Sequence, residues 1–487
     1  AMPCTAQALW SGLAWHISTP MWRRHCKSKR TANNGKSPPK QHCLKVNHLI
    51  FEPEIVSMKV EQIYTGCLAQ GAYYIECCDE AIIIDPLREV QPYIDRAEAG
   101  GKKIKYIFET HFHADFVSGH VTLSEKTGAP IVFGPNANPK FGAHIAQDGE
   151  VFKIGKVTLE VIHTPGHTME STTYLLRDKE GKPHAIFTGD TLFLGDVGRP
   201  DLAQKAADMT QEMLAGTLFD SLRSKIMTLP DDVIVYPGHG AGSACGKNMS
   251  SETVGTLGDQ KANNYALRAD MTKEEFVAEV TDGLLPPPAY FPLNVKLNKE
   301  GYAPIDEVLS RGTRALSPSA FEAAANEIGA VVLDVRSKED FAKAHIPRST
   351  FIGLDGNFAP WVGAMIVDVE QPILLVCPAG KVEETITRLS RVGFDKVLGY
   401  LHGGIESWTS DGMETDHISA LEASEFAELR SKTDLKVVDV RKPGEYLSEH
   451  VLDAESMPLA DLNGHLAEIP KEGDFYVHCL SGYRSLI

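Results

Sequence analysis

Thr110-His-Phe-His-Ala-Asp-Phe116 follows directly on an apolar run that ends at Phe108. Three more polar clusters also close apolar runs: Thr164-Pro-Gly-His167, Thr188-Gly-Asp190 and Tyr236-Pro-Gly-His239. Together they deliver His111, His113, Asp115, His167, Asp190 and His239 to predicted strand ends, where irregular backbone lets side chains turn toward one sheet edge. Imidazole with carboxylate suits Zn²⁺, Fe²⁺ or Mn²⁺ and needs no cysteine ligand. A single His or Asp after a strand is ordinarily a cap or a satisfied polar group, and His144, His163 and His184 are read that way. Six in this order are read as a metal centre. Spacing alone allows His111, His113 and His167 to hold zinc and does not choose among the six.

Short strands must carry these ends. Lys59–Tyr64, Ala72–Glu76, Ala81–Asp85, Ile104–Phe108, Pro130–Phe133, Val157–Ile162, Ala185–Phe187 and Asp232–Tyr236 read as strands, with helices over Pro92–Ala99 and Met209–Leu222. Pro92 suits a first helical turn, where a missing N–H costs nothing. Mixed strands and helices predict a layered α/β domain over residues 58–298, closed by Pro286-Pro287-Pro288. Beyond a linker at 299–315 the chain repeats itself at an offset of about 102 to 105 residues, which means a duplicated domain rather than a solenoid. Val331-Val-Leu-Asp-Val-Arg336 answers to Lys436-Val-Val-Asp-Val-Arg441, and Leu374-Leu-Val-Cys377 to Phe475-Tyr-Val-His-Cys479. The copies span 316–412 and 417–487. The second stops eight residues past Cys479, so a truncated domain without its closing helix and strand is expected.

Composition narrows the class. The 487 residues carry a net charge of −17, which argues against nucleic-acid binding, and no run of apolar residues is long enough to span a membrane. Nine cysteines are too few for a disulfide scaffold and fit a reducing compartment. Residues 1–57 differ, with 8 Lys/Arg against 2 Asp/Glu. They are read as a non-domain leader, a remnant or upstream translation before Met58, with an organelle transit peptide as the alternative. The expected location is therefore cytoplasmic, or organellar if the leader is a transit peptide.

The order of clusters over residues 58–298 resembles the metallo-β-lactamase superfamily, whose mark is His-X-His-X-Asp-His, then Gly-His, Gly-Asp and a last Gly-His. The resemblance implies an αββα sandwich. One position departs: the last His of the first motif is Phe116 here. In two-metal members that His joins the Asp to hold the second ion, and phenylalanine has no lone pair, so one metal is expected. The closer resemblance is to the persulfide dioxygenases of this superfamily. It implies Fe(II), with zinc as the alternative, on His111, His167 and Asp190. Two His and one carboxylate leave the other face open, as in non-heme iron oxygenases. His113 and Asp115 would then orient ligands or hold water, with His239 beside them. Arg199 is read as a substrate-carboxylate clamp or a loop ion pair, and Cys245 as a thiol at the metal mouth or a buried small residue. Cys67, Cys77 and Cys78 are read as packing.

The repeat resembles rhodanese-like α/β domains through Asp439-Val-Arg441, the Glu445…His450 region and Cys479-Leu-Ser-Gly-Tyr-Arg-Ser485. That chemistry needs a thiolate that holds sulfane sulfur. A strand end and tight loop point N–H groups at the sulfur, Gly482 permits the turn, and Arg484 adds positive charge that lowers a thiol pKa. Cys479 and Arg484 are therefore the candidate catalytic pair. In the first copy Pro378 removes an N–H, Val382 replaces the arginine, and Glu383 and Glu384 raise a thiol pKa, so Cys377 is expected to be inactive.

The pairing implies oxidation of a low-molecular-weight thiol persulfide, of glutathione or coenzyme A type, by O₂ to sulfite, coupled to sulfur transfer with thiosulfate as product or donor. The alternatives are a zinc thioester hydrolase of the glyoxalase II kind and a non-enzymatic sulfur carrier or sensor. Neither nucleic acid nor membrane is an expected partner. The oligomeric state, a homo-oligomer included, is left open.

Overall fold

Period-two alternation with both faces covered shapes the first half of the chain. A computed structural model describes residues 58–204, 208–433, 435–469 and 475–487. The reading of the leader 1–57 lies outside the described residues. One six-stranded sheet runs β1 (Met58–Thr65), β2 (Gln70–Cys77), β3 (Glu80–Ile84), β4 (Lys103–Glu109), β5 (Ile131–Phe133), β6 (His144–Ile145) in that order. The other comprises β7 (Val151–Ile154), β8 (Val157–His163), β9 (Thr172–Arg177), β10 (Pro183–Gly189), β11 (Ile234–Pro237) and β12 (Gly255–Thr256), also laid side by side in chain order.

Tyr73, Ile75, Ile84 and Phe108 of the first sheet meet Phe152, Leu159, Tyr174 and Phe187 of the second in one buried layer. The opposite faces are buried as well. Tyr74, Ile83 and Ile107 pack under the helices Gln91–Ala99 and His120–Thr127, and Leu175, Ile186 and Val235 under the helices Gln211–Ser221 and Lys273–Thr281. The result is the expected αββα sandwich. Each buried aliphatic or aromatic side chain contributes about 1.5–3 kcal/mol, so both faces of each central strand favour this layering.

The anticipated strands all form. β9 carries no such sequence signal, because Thr172-Thr173 opens it with polar residues and burial on both faces removes the alternation. The two-residue β6 and β12 and the short β7 carry too few residues for a pattern. The prolines do interrupt helical structure, but the helix Phe291–Glu300 follows them and runs across the boundary drawn at Asn298. In the linker, the helix Ile305–Gly312 packs Val308 against Ile386 and Val397 of the first repeat copy.

That copy is a five-stranded sheet, β13 (Ala315–Leu316), β14 (Val331–Asp334), β15 (Thr350–Phe351), β16 (Ile373–Val376) and β17 (Val397–Leu401), in the order β13-β17-β16-β14-β15 with all pairs parallel. The second has β18 (Lys436–Asp439), β19 (Glu455–Ser456) and β20 (Phe475–His478), likewise parallel. The repeated Asp-Val-Arg motif does the same work in each. Arg336 clasps Asp334 and donates to Ala344 O at 2.7 Å, and Arg441 clasps Asp439 and donates to Glu449 O at 2.6 Å. The motif therefore locks the strand end to the following helix.

Candidate metal centre and sulfur-carrier loop

The loop after β4 carries His111, His113 and Asp115 to the edge where β10 and β11 also end. Close approach demands small residues there. A Cβ on Gly189, whose φ is +49°, would lie 2.5 Å from Thr110 Oγ1, and one on Gly238 would lie 2.6 Å from Asp190 Oδ1. The ligand atoms of His111, His167 and Asp190 all fall within 4.8 Å of one another, and all three residues are buried. Asp190 Oδ2 lies 3.5 Å from His167 Nε2 and 3.9 Å from His111 Nε2. Donors each roughly 2.0–2.2 Å from one ion sit about 3–3.5 Å apart. Neither Asp190 oxygen has a hydrogen-bond partner. A buried carboxylate without partners is costly unless a cation completes it, so these residues fit a metal.

Hydrogen bonds set the imidazole tautomers. His167 Nδ1 is 2.8 Å from Arg199 O, a carbonyl that only accepts, so Nδ1 carries the proton and Nε2 is left with its lone pair. Thr110 donates to Asp85 Oδ2 at 2.8 Å, so its oxygen accepts from His111 Nδ1 at 3.0 Å and again frees Nε2. Burial, with His113, His167 and His239 nearby, holds His111 well below the usual histidine pKa, and therefore neutral. This is the state a ligand needs.

His113 differs. Its Nε2 lies 3.1 Å from Asp85 Oδ1 and 3.6 Å from Glu109 Oε2. Burial alone would lower it, but Asp85, Glu109 and Asp115 outweigh that and raise it to about 9. Its ring lies 4.3 Å from that of fully buried Phe116. His239 Nε2 is 3.5 Å from Asp115 Oδ2 and 3.6 Å from Asp190 Oδ1. Two further groupings thus border the first: His113, Asp115 and His239, and Asp190, His239 and Cys245. Asp115 is raised by burial, with Asp190 adding to it and His239 opposing. Cys245 is buried in the same pocket, and burial, then Asp115 and Asp190, push its thiol well above the usual value.

Arg199 is spent on the protein. It clasps Asp201 at 2.7 Å through both Nε and Nη2, and donates to Ala244 O and Leu285 O. The loop ion pair is realised rather than a free carboxylate clamp. Sequence reasoning missed Asp85 and Asn298. Asp85 closes an apolar Ile-Ile-Ile run, the same signal that marked Asp190. Asn298 sits inside a helix and gives no such signal, yet its amide binds three backbone groups of the metal loop.

At the far end, Cys479 Sγ accepts from Gly482 N at 3.2 Å. Burial pushes this thiol up, but the Ser481 N–H, the Ser485 hydroxyl and N–H and the Gly482 N–H outweigh it, and the net shift is downward. Arg484 also reaches the sulfur, but Glu445 clasps its guanidinium at 2.7 and 2.8 Å. Backbone N–H groups therefore carry more of the effect than the arginine charge expected from sequence. Cys377 goes the other way, raised by burial to about 12. Alkylation by iodoacetamide is accordingly expected at Cys479 below the usual thiol pKa and not at Cys377 until far higher pH, read by peptide mass spectrometry; equal labelling at pH 7 would contradict it. A cavity of about 540 Å³ between the copies is lined by Lys338 and Trp361 of the first and Ser481, Tyr483 and Arg484 of the second.

Residues 65–239 match the Metallo-beta-lactamase superfamily, and residues 317–411 and 422–487 match the Rhodanese-like domain. The chain is 32% identical over 222 residues to human persulfide dioxygenase ETHE1, mitochondrial, covering 45% of this chain and 78% of that protein. It is 34% identical over 192 residues to hydroxyacylglutathione hydrolase of Polaromonas sp., covering 37% and 66%. Among solved structures, a metallo-beta-lactamase from Staphylococcus aureus aligns with a TM-score of 0.62 at 31% identity, covering 71% of this chain and 98% of that one.

Proposed function

Because the chain belongs to the metallo-beta-lactamase superfamily, with persulfide dioxygenases among its homologues and a rhodanese-like pair behind it, we propose that it is an iron persulfide dioxygenase coupled to a sulfurtransferase. The reaction is R–S–SH + O₂ + H₂O → R–SH + SO₃²⁻ + 2H⁺, in which the terminal sulfur is oxidised and O₂ takes up four electrons. The observation that carries it is the convergence of two buried imidazoles, each with Nδ1 engaged by the protein, on one buried carboxylate without hydrogen-bond partners. Iron bound by His111, His167 and Asp190 would supply open positions for sulfur and O₂ together. Thr110 and the Arg199 carbonyl fix the two imidazoles, and the buried ring of Phe116 packs against His113. Asp85 and Glu109 hold His113 away from metal duty.

Cys479 then transfers sulfur: Cys–S–S⁻ + SO₃²⁻ → Cys–S⁻ + S₂O₃²⁻, or the reverse. The lowered thiol supplies the leaving thiolate. The cavity beside the loop exceeds what a sulfur oxyanion needs and suits an anionic carrier thiol of glutathione or coenzyme A type. All six described cysteines are free thiols, which suits a reducing setting. Among the described residues, no helix is long and apolar enough to cross a membrane.

A second reading is a thioester hydrolase. It is favoured by the hydroxyacylglutathione hydrolase relative and by His239 facing Asp190 Oδ1 beside Asp115. Anaerobic purification with iron and zinc quantified, then O₂ consumption with glutathione persulfide, separates the two. Iron with persulfide-dependent O₂ uptake and sulfite is the expected result; zinc with thioester cleavage and no O₂ uptake rejects the dioxygenase.

A further inference from the structure

The half of the metal loop that follows His113 is held largely from outside its own sheets. Val117 N donates to Arg391 O at 2.7 Å, and Arg391 ends the helix Val382–Arg391 of the first rhodanese-like copy. Ser118 N donates to Asn298 Oδ1 at 2.8 Å, while Asn298 Nδ2 donates to His113 O at 2.8 Å and Phe116 O at 2.7 Å. Asn298 is fully buried on the helix Phe291–Glu300. That helix lies between the metal loop and the turn at Gly393. A Cβ on Gly393, whose φ is +88°, would lie 2.9 Å from Asn294 Oδ1 and 3.8 Å from Val117 Cγ2.

The same turn is locked to the sandwich by charge. Arg88, just past β3, donates to both carboxylate oxygens of Asp395 at 2.6 Å and to Ser390 O and Ala303 O at 2.8 Å. Arg391 pairs with Glu89 and lies 3.4 Å from Cys67 Sγ. Ala114 and Phe116 of the metal loop share one apolar cluster with Ile386, Leu389, Val392 and Phe394 of the copy.

We infer that the first rhodanese-like copy is a positioning element of the metal centre. Its turn 390–395, acting with Asn298, fixes the loop that carries His111, His113 and Asp115. Arg391 and Asp395 are positioning residues, not catalytic ones: they act through the backbone of residues 113–118. The inference is independent of whether the centre performs oxidation or hydrolysis.

The test uses the full chain carrying Asp395→Asn or Arg391→Gln. Hydrogen–deuterium exchange of the metal-free protein is read at Val117 and Ser118, and Zn²⁺ retention is read by competition with a chromophoric chelator. Exchange at these amides is expected to rise about tenfold or more in Asp395→Asn and several-fold in Arg391→Gln. Zinc retention is expected to weaken roughly 10–100-fold in Asp395→Asn, the usual effect of removing support behind a ligand. Cys377→Ser, in the same copy but outside the clamp, is expected to move neither. Parental exchange and zinc retention in both folded clamp variants would overturn the inference, as would equal changes in Cys377→Ser. Where Asp395→Asn fails to fold, Arg391→Gln decides alone, since its side chain is partly exposed and its backbone carbonyl is retained.

Discussion

Asp190→Asn is expected to leave the folded sandwich intact and empty its centre: metal content near background and persulfide-dependent O₂ uptake down by about 10³-fold or more. The substitution keeps the shape and removes the one negative charge set between His111 and His167. Those imidazoles have Nδ1 committed to Thr110 and to Arg199 O and carry no negative charge in any state, so they cannot replace the lost one. His111→Ala and His167→Ala should be similar. His113→Gln is expected to cost only about 10–100-fold, the range for groups that support ligands rather than bind. His239→Ala is the informative member of the series, because its Nε2 faces the other Asp190 oxygen. One working ion predicts the milder class for it; a two-ion hydrolase predicts the severe class. Metal analysis with an oxygen electrode reads the series. A severe loss in His239→Ala together with retained metal in Asp190→Asn would remove the ligand assignment proposed above.

The site's donors were legible because each closes an apolar strand. A polar residue following a run such as Ile104–Phe108 must emerge at a sheet edge, and four such edges in one domain bring six donors together. Cys479 was legible for the same reason; Cys377 shifts in the expected direction, but burial is the largest cause, and Glu384, one of the acidic residues after it, pairs with Lys381 and Arg388. What was not legible depends on contacts between distant parts of the chain. Asn298 is separated from His113 by 185 positions, and nothing local distinguishes it from a helix-surface amide. Arg199 was ambiguous because its partner Asp201 is two residues away, as compatible with a local pair as with a solvent-facing loop. Arg484 was overvalued because Glu445, 39 positions earlier, takes its charge.

The other large effect concerns Arg88 and Asp395, and it is expected in stability rather than chemistry. The Arg88 side chain is 0% exposed and that of Asp395 19%, with two hydrogen bonds of 2.6 Å between them. Removing one partner of a buried pair strands a charge, which costs about 3–5 kcal/mol. Asp395→Ala should reach that range. Asp395→Asn, which keeps an acceptor oxygen, should lose less. Asp232→Ala, whose partner Lys182 is 62% exposed, should lose far less, because solvent screens that pair. Arg88→Met with Asp395→Leu should recover only part of the loss, because the Ser390 and Ala303 carbonyls would lose their donor. Urea denaturation gives the ordering. Trp361 and Trp408 both lie in the first copy, so with Trp10, Trp15 and Trp22 replaced by phenylalanine the tryptophan fluorescence follows that unit while far-UV dichroism follows the whole. In the parent, the shared apolar cluster and the ion pair should make the two signals move together; in Asp395→Ala they should separate, the copy melting first. Coincident transitions in Asp395→Ala, or a loss no larger than that of the surface pair, would mean that water already reaches Arg88 in solution and that the turn 390–395 is not locked to the sandwich.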